Sequence, residues 1–227
     1  MPVLRRFVAG SRADDAVRVA SELAAAGFRV ALEHEPGRSE DGAREFEALV
    51  GRLRGAGVPD CELTLPVERL GRDAVLDLGR AGLAVVLEGP SRDVDALVAE
   101  MPGAGVVVDA GESDAENRCR AQAGGRVRLT ATRGASAALA FVRCLNVLMA
   151  AGGHPEIATA DLRLIAIAGE RAAWNGRTPD SWEHVMPYGV RTAEQRRMAA
   201  AGLTVRVAVP WGSGAPVAVV RSLVGRA

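Results

Sequence analysis

Eight short apolar runs recur along the chain, and most are separated from the next by a segment with the hydrophobic period of a helix. The runs are Arg29–Glu33, Cys61–Val67, Leu83–Glu88, Gly105–Asp109, Arg126–Thr130, Glu156–Asp161, Trp182–Met186 and Val205–Pro210. Continuous apolar runs of this kind are typical of parallel strands that are buried on both faces. Eight such alternations within 227 residues predict a (βα)8 barrel of the TIM type.

The segments between the runs predict the helices of this barrel. They are Gly42–Gly55, Arg69–Arg80, Ser91–Glu100, Ala135–Ala151, Leu162–Asn175, Thr192–Ala201 and Pro216–Arg226. A strand at Phe7–Ala9 and a helix at Ala13–Ala26 are expected before the barrel, so residues 1–27 form an N-terminal extension and residues 28–227 the barrel. Because no long linker interrupts the pattern, we expect one domain.

The composition excludes several classes of function. The chain has no lysine, so its 28 basic residues are all arginine and they balance 28 Asp and Glu. Schiff-base chemistry on lysine and a standard Walker A site are therefore excluded. A net charge of zero gives no general attraction to nucleic acid, and no apolar run approaches the roughly 20 residues of a membrane span. Three widely spaced cysteines indicate a reducing, cytoplasmic compartment.

In a barrel of this type the chemistry takes place where the strands end at their carboxyl side. Carboxylates are expected there at four different strand ends, and histidines accompany them. These residues are Glu33, Glu88, Asp109, Asp161, His34 and His184. Such a set can perform acid–base catalysis when neighbouring charges raise the pKa of one carboxyl group. The alternative is that individual members cap helices or pair with arginines. No His-x-x-x-His or His-Glu-x-x-His spacing is present, so we predict no metal site.

The order of several motifs resembles the proline dehydrogenase family over nearly the whole chain. The resembling stretches are Gly-Arg-Val-Arg-Leu at 125–129, Ala-Thr-Ala-Asp at 158–161, Tyr-Gly-Val-Arg-Thr-Ala-Glu-Gln-Arg-Arg at 188–197 and Val-Arg-Val-Ala-Val-Pro-Trp-Gly at 205–212. The resemblance implies a (βα)8 barrel that binds FAD and oxidises proline to pyrroline-5-carboxylate. It also implies self-association into a homo-oligomer.

The functional motifs of that family are retained only in part. Where the family has a lysine, an aspartate and a glutamine at successive strand ends, this chain has Pro66, Glu88 and Asp109. The family's Ala-Thr-His-Asp has lost its histidine, and of a paired-arginine clamp for the proline carboxylate only Arg221 remains. Loss of one partner from a paired charge site weakens the free energy of ligand binding by on the order of several kcal/mol. We therefore expect ordinary proline oxidation to be weak or lost.

The resemblance and the strand-end positions together assign roles. Glu88, Asp109, Glu33 and His184 are the predicted catalytic groups, with Glu88 and Asp109 favoured because they replace family residues that point into the pocket. The predicted substrate-binding residues are Arg128, Tyr188, Arg221, Trp211 and Asp161. Arg128 and Thr159 would contact FAD if it is bound, although FAD is disfavoured and the cofactor stays open. Trp182 and Trp211 either line a pocket or pack between barrel and helices.

Three functions remain open at this point. The first is a repurposed enzyme that acts on a small amine-, imine- or amino-acid-derived metabolite by carboxylate acid–base chemistry. The second is FAD-dependent oxidation of an amine other than proline. The third is a non-catalytic relative that binds a ligand or a partner protein. New acidic residues at several strand ends favour the first.

Overall fold

The structure is a computed structural model that describes residues 6–37, 41–131 and 135–224, without the side chains of residues 135, 136 and 221–224. Its strands are β1 Arg29–His34, β2 Cys61–Pro66, β3 Ala84–Glu88, β4 Gly105–Asp109, β5 Arg126–Thr130, β6 His154–Ala158, β7 Glu183–Pro187 and β8 Val205–Trp211. Its helices are α1 Ala13–Ala25, α2 Gly42–Ala56, α3 Val67–Leu70, α4 Arg72–Gly79, α5 Ser91–Val98, α6 Ala115–Gln122, α7 Ala135–Ala150, α8 Leu162–Trp174, α9 Thr192–Ala200 and α10 Ala215–Val224.

The eight strands pair in sequence order, all in parallel, and close into a barrel through β1 and β8. The register of this closing pair sets Glu33 opposite Pro210 and His34 opposite Trp211. The predicted (βα)8 barrel is thereby confirmed. The candidate carboxylates Glu33, Glu88 and Asp109 lie at the carboxyl rim, which we call the mouth of the barrel. The predicted position of His184 at this rim is wrong, because His184 is the second residue of β7 and lies opposite Val205, where β8 begins.

The two faces of the strands differ in chemistry. Residues such as Leu32, Leu63 and Val207 are fully buried and pack in the layer between strands and helices. The alternate residues face the barrel axis, and several of these are charged, including Glu62, Arg128 and Glu156, which are at most 2% exposed. The barrel thus has an apolar outer layer and a polar interior.

The segment before α1 differs from the prediction. Phe7–Ala9 does not form a strand, although its backbone is tied to the barrel. Ala9 N donates to Pro210 O at 2.9 Å, and Gly212 N donates to Gly10 O at 2.9 Å. Two bonds to the end of β8 hold the segment beside the mouth without extending the sheet.

Two helices also differ from the sequence pattern. The predicted helix Arg69–Arg80 is broken into α3 and α4 at Gly71, whose φ of 76° lies in the left-handed region that favours glycine. Helix α6 was not predicted because it is strongly polar, yet it buries Arg118 and Cys119. Two carboxylates compensate the buried charge of Arg118. Glu112 Oε2 lies 3.4 Å from its Nη1, and Asp95 Oδ1 lies 3.8 Å from its Nε.

Among the described residues, no helix is long and apolar enough to cross a membrane. The same residues contain no group of three or more His, Cys, Asp or Glu side chains placed to hold a metal ion. Cys61, Cys119 and Cys144 are buried free thiols.

Candidate functional site

A cavity of about 340 Å³ opens at the mouth beside β1, β2 and β3. Its charged lining consists of four carboxylates and one guanidinium, from Glu33, Glu35, Glu68, Glu88 and Arg69. Arg69 Nη1 lies 3.3 Å from Glu35 Oε2, so its charge is already partly compensated. The remaining carboxylates leave the cavity with a negative field, which favours a cationic ligand.

Glu33 lies on β1, where the open cavity meets the barrel interior. Its Oε1 is 3.8 Å from Arg128 Nη1, and 35% of its side-chain surface remains accessible through the mouth. The pKa of Glu33 is raised to about 7, first by removal of the carboxyl group from bulk water. Arg128 opposes this rise, while the charges of Glu88 and Glu35 add to it. Near neutral pH, Glu33 is therefore divided between an acid and a base form.

Glu88 and Asp109 end the neighbouring strands β3 and β4. The pKa of Glu88 is raised, first by partial loss of water and then by the charge of Glu35, with Asp109 adding and Arg69 opposing. Because Glu88 stands exposed at the rim, solvent limits this effect. Asp109 Oδ1 accepts a hydrogen bond from Gly111 N at 2.8 Å, which fixes the carboxylate at its strand end. The structure thus brings three of the four predicted catalytic groups to one side of the mouth.

Arg128 lies below this cavity and is only 2% exposed. Its Nε and Nη2 each lie 2.8 Å from Glu156 Oε2, and Nη1 donates to Thr64 Oγ1 at 2.9 Å. Nη2 also pairs with Glu62 from the opposite side of the barrel. The guanidinium predicted to contact substrate or flavin is therefore held by two buried glutamates.

Further buried ion pairs continue this network toward the amino ends of the strands. Arg206 Nε lies 2.7 Å from Glu183 Oε1 and 3.5 Å from Glu62 Oε1. Arg126 pairs with Glu62 and, at 2.6 Å, with Glu156. The sequence analysis did not predict this network of ion pairs, although the sequence contains a signal for it. Charged residues alternate with apolar ones within several strands, which places them on a single face.

Two predicted site residues face the helix layer instead of the mouth. His184 is 2% exposed, and its ring contacts that of Trp182 with centroids 4.5 Å apart. Burial lowers the pKa of His184 to about 4, so it is neutral at physiological pH. Trp211 is fully buried and stacks on His34, which places its indole outside the barrel axis. Trp182 and Trp211 therefore both pack between the barrel and its helices.

The remaining candidates lie at other strand ends. Asp161 Oδ1 accepts from Arg163 N at 2.8 Å and caps α8, while Thr159 Oγ1 accepts from Asp161 N at 3.1 Å. Both side chains therefore organise the turn between β6 and α8. Tyr188 follows β7 and packs, half-buried, against the core. Arg221 belongs to α10, but its side chain lies outside the described residues.

FAD, which the sequence resemblance implies, fits the described cavity poorly. The diphosphate and the reduced ring of this cofactor carry negative charge, and the cavity presents Glu33, Glu35, Glu68 and Glu88 to a ligand. The guanidinium of Arg128 is already neutralised by Glu62 and Glu156. Thr159 is engaged in its own turn. The described groups therefore suit a cation better than a dinucleotide.

Comparison with known proteins identifies the fold. The sequence matches no protein-family model and no curated protein. Among solved structures, proline utilization A from Bdellovibrio bacteriovorus, inactivated by N-propargylglycine, is similar at 18% identity with a TM-score of 0.78. The similarity covers 100% of this chain and 32% of that protein.

Two further structures agree with this match. A mutant proline utilization A from Bradyrhizobium japonicum has 18% identity and a TM-score of 0.73, over 100% of this chain and 30% of that one. The protein from Corynebacterium freiburgense has 16% identity and a TM-score of 0.72, over 99% of this chain and 31% of that one. The chain thus spans about a third of the length of these proteins. Its closed eight-stranded barrel has the fold of the proline dehydrogenase domain of proline utilization A, as the sequence resemblance predicted.

Proposed function

We propose that the chain is an enzyme that performs acid–base chemistry on a small, positively charged amine-, imine- or amino-acid-derived metabolite at the barrel mouth. The observation that carries this proposal is the position of Glu33. Its carboxyl group lines the cavity, lies 3.8 Å from Arg128 and has a pKa of about 7. A group with a pKa near the working pH exchanges protons in both directions at low cost.

The charge of the cavity supports a cationic substrate. Glu35, Glu68 and Glu88 line the same space as Glu33, and among the described residues of this lining the only arginine is Arg69, which pairs with Glu35. An ammonium or iminium group would gain charge-assisted hydrogen bonds to these carboxylates. A free carboxylate on the substrate would meet repulsion from them. This field is opposite to what a paired-arginine clamp for an amino acid would provide.

The same groups can catalyse a proton shift without an oxidant. Protonated Glu33 gives its proton to the basic carbon or nitrogen of an enamine or imine. The ionised carboxylate of Glu88 takes a proton from the other end of the same three-atom N–C–C unit, and the double bond moves from one side of the central carbon to the other. The substrate keeps its atoms and electrons, and the two carboxyl groups exchange protonation states. Solvent at the open mouth restores both groups for the next turnover.

The experiment follows hydrogen exchange in heavy water by nuclear magnetic resonance. A panel of small enamines and cyclic imines is incubated with the protein, and incorporation of deuterium at the carbon bonded to the C=N carbon is measured. We expect Glu33→Gln and Glu88→Gln to abolish exchange while folding is retained. Glu170→Gln, an exposed glutamate on α8, is the matched control and keeps activity. Full activity in both mouth variants would overturn the proposal. Retained ligand binding without any exchange would favour a non-catalytic binding protein.

A second candidate is FAD-dependent oxidation of an amine, and the similarity to proline utilization A is the observation in its favour. The purified protein is tested for the visible absorption of a flavin, before and after incubation with FAD. N-propargylglycine, which inactivated the protein from Bdellovibrio bacteriovorus, is then added as a probe. Flavin absorption that this compound changes irreversibly would support oxidation. A colourless protein that gains no flavin on incubation would exclude it.

A further inference from the structure

The guanidinium of Arg128 lies between two groups of carboxylates that differ in their distance from it. Glu62 and Glu156 are in direct ion-pair contact inside the barrel, whereas Glu33 lies 3.8 Å away on the side of the mouth. Glu62 and Glu156 are fully buried. Although burial opposes the ionisation of Glu156, the charges of Arg128, Arg126 and Arg206 lower its pKa below the usual value. Glu156 is therefore a stable anion that holds Arg128.

We propose that Glu62 and Glu156 are positioning residues that compensate the charge of Arg128 and so keep Glu33 available as a proton donor at neutral pH. They act through Arg128 and do not line the cavity. This inference rests on the proposed function for its meaning in catalysis, but its test needs no substrate.

Glu33, Glu62 and Glu156 compete for the single positive charge of Arg128. A positive charge within about 4–6 Å of a carboxyl group usually lowers its pKa by one unit or more. Arg128 satisfies this distance to Glu33, yet Glu62 and Glu156 bind it more closely and weaken its field at Glu33, although Arg126 and Arg206 share these carboxylates. Loss of either carboxylate leaves part of the positive charge of Arg128 uncompensated, and this charge then acts more strongly on Glu33. Glu33 then ionises more readily and no longer donates a proton at pH 7.

Other charges face Glu33 from the surrounding elements, and the test must leave them unchanged. They are Glu35 directly after β1, Glu68 and Arg69 on α3, Glu88 on β3 and Arg128 on β5, with Glu62 on β2 below. Of these, the first four lie at the mouth and do not contact Glu156 in the described network. A substitution at Glu156 therefore changes the compensation of Arg128 without altering the cavity wall.

The experiment measures the titration of Glu33 in the protein without substrate. The side-chain carboxyl carbons of glutamate are labelled with carbon-13, and the resonance that disappears in Glu33→Gln is assigned to Glu33. In Glu156→Gln we expect the proton affinity of Glu33 to fall about ten-fold or more. The matched control is Glu183→Gln, which removes an equally buried glutamate that pairs with Arg206 and Arg29 instead. There we expect less than a two-fold change.

A charge-balanced variant keeps the test decisive if the single variant does not fold. Arg128→Gln combined with Glu156→Gln removes one charge of each sign, and neutral replacements of buried pairs are often tolerated. We expect Glu33 to titrate close to its wild-type value in this variant, because the pair acts on it as a nearly neutral unit. An unchanged titration in Glu156→Gln, an equal change in Glu183→Gln, or a shift of more than ten-fold in the double variant would overturn the inference. If the titrations are as expected but the wild-type protein shows no hydrogen exchange with the substrate panel, the proposed function is refuted and the inference stands.

Discussion

The rings of His34 and Trp211 stack with their centroids 4.2 Å apart on the outer side of the barrel. The two residues are register partners in the pair of strands that closes the sheet. Phe46 of α2 meets both rings edge-on, with centroids 5.4 Å from His34 and 6.3 Å from Trp211. This aromatic cluster joins the closing strands to the first barrel helix.

Trp211→Ala should therefore destabilise the protein strongly. Removal of a fully buried aromatic side chain leaves a cavity and typically costs about 3–5 kcal/mol in the free energy of unfolding. The measurement is urea unfolding followed by far-ultraviolet circular dichroism. Trp174→Ala is the matched control because Trp174 is 84% exposed, and its effect should stay within about 0.5 kcal/mol. Similar losses in the two variants would contradict this packing.

Arg177 stabilises the end of the barrel opposite the mouth, where its guanidinium donates hydrogen bonds to carbonyl groups at the end of α7 and in the loops before β6 and β7. The acceptors are the carbonyl oxygens of Leu148, Met149, Ala151, Gly153 and Ser181. Because one side chain satisfies five acceptors, Arg177→Ala should lower the free energy of unfolding by at least about 2 kcal/mol. The same urea titration measures it, with the exposed Arg163→Ala as control. A change no larger than that of the control would show that water replaces these bonds.

Glu33 gives a pH dependence of stability with a definite sign. Its pKa is about 7 in the folded chain against the ordinary 4.5, so the folded state binds more protons between these values. Stability therefore falls as pH rises from about 4.5 to 7, and the loss is complete above that range. Relative to wild type, Glu33→Gln should gain stability as pH rises from 5 to 8. Thermal melting across this range measures the difference, and a constant difference would contradict the raised pKa.

His184 contributes a pH dependence of stability whose sign is opposite to that of Glu33. Burial lowers its pKa to about 4 from the ordinary 6.5, so the unfolded chain binds the extra proton between these values. The contribution of neutral His184 to the free energy of unfolding is fully present above pH 6.5. It is lost as pH falls to about 4, and the loss amounts to about 3 kcal/mol. His184→Gln should lose less stability than wild type between pH 6.5 and 4.5. Urea unfolding at these two pH values tests it, and parallel losses would show that His184 becomes protonated in the folded state.

The periodicity of the sequence predicted the barrel because each buried strand carries its own local signal. All eight strands were found, with ends displaced by no more than about three residues, as for β6, which ends at Ala158 and not at Asp161. The wrong strand at Phe7–Ala9 has a physical cause. Its apolar residues pack against the barrel, but its backbone bonds with β8 extend over too few residues to form a ladder.

The site was less predictable because it depends on which side of a strand a residue occupies. Glu33, Glu88 and Asp109 were found as strand-end carboxylates, and they do lie near one another. Trp211 ends β8 and His184 is the second residue of β7, and both stand on the outer face, one residue out of phase with the interior. The partners of Arg128 could not be predicted because Glu62 reaches it across the barrel from β2. Such a contact is set by the closure of the sheet.

The polar barrel interior has a consequence for how the fold responds to heat. The hydration of charged groups becomes less favourable as temperature rises, so the cost of keeping them out of water decreases. Hydrophobic stabilisation per unit of buried area levels off over the same range. A barrel whose axis holds Arg128 and Arg206 among Glu62, Glu156 and Glu183 therefore relies on these pairs relatively more in a hot solution than in a cold one.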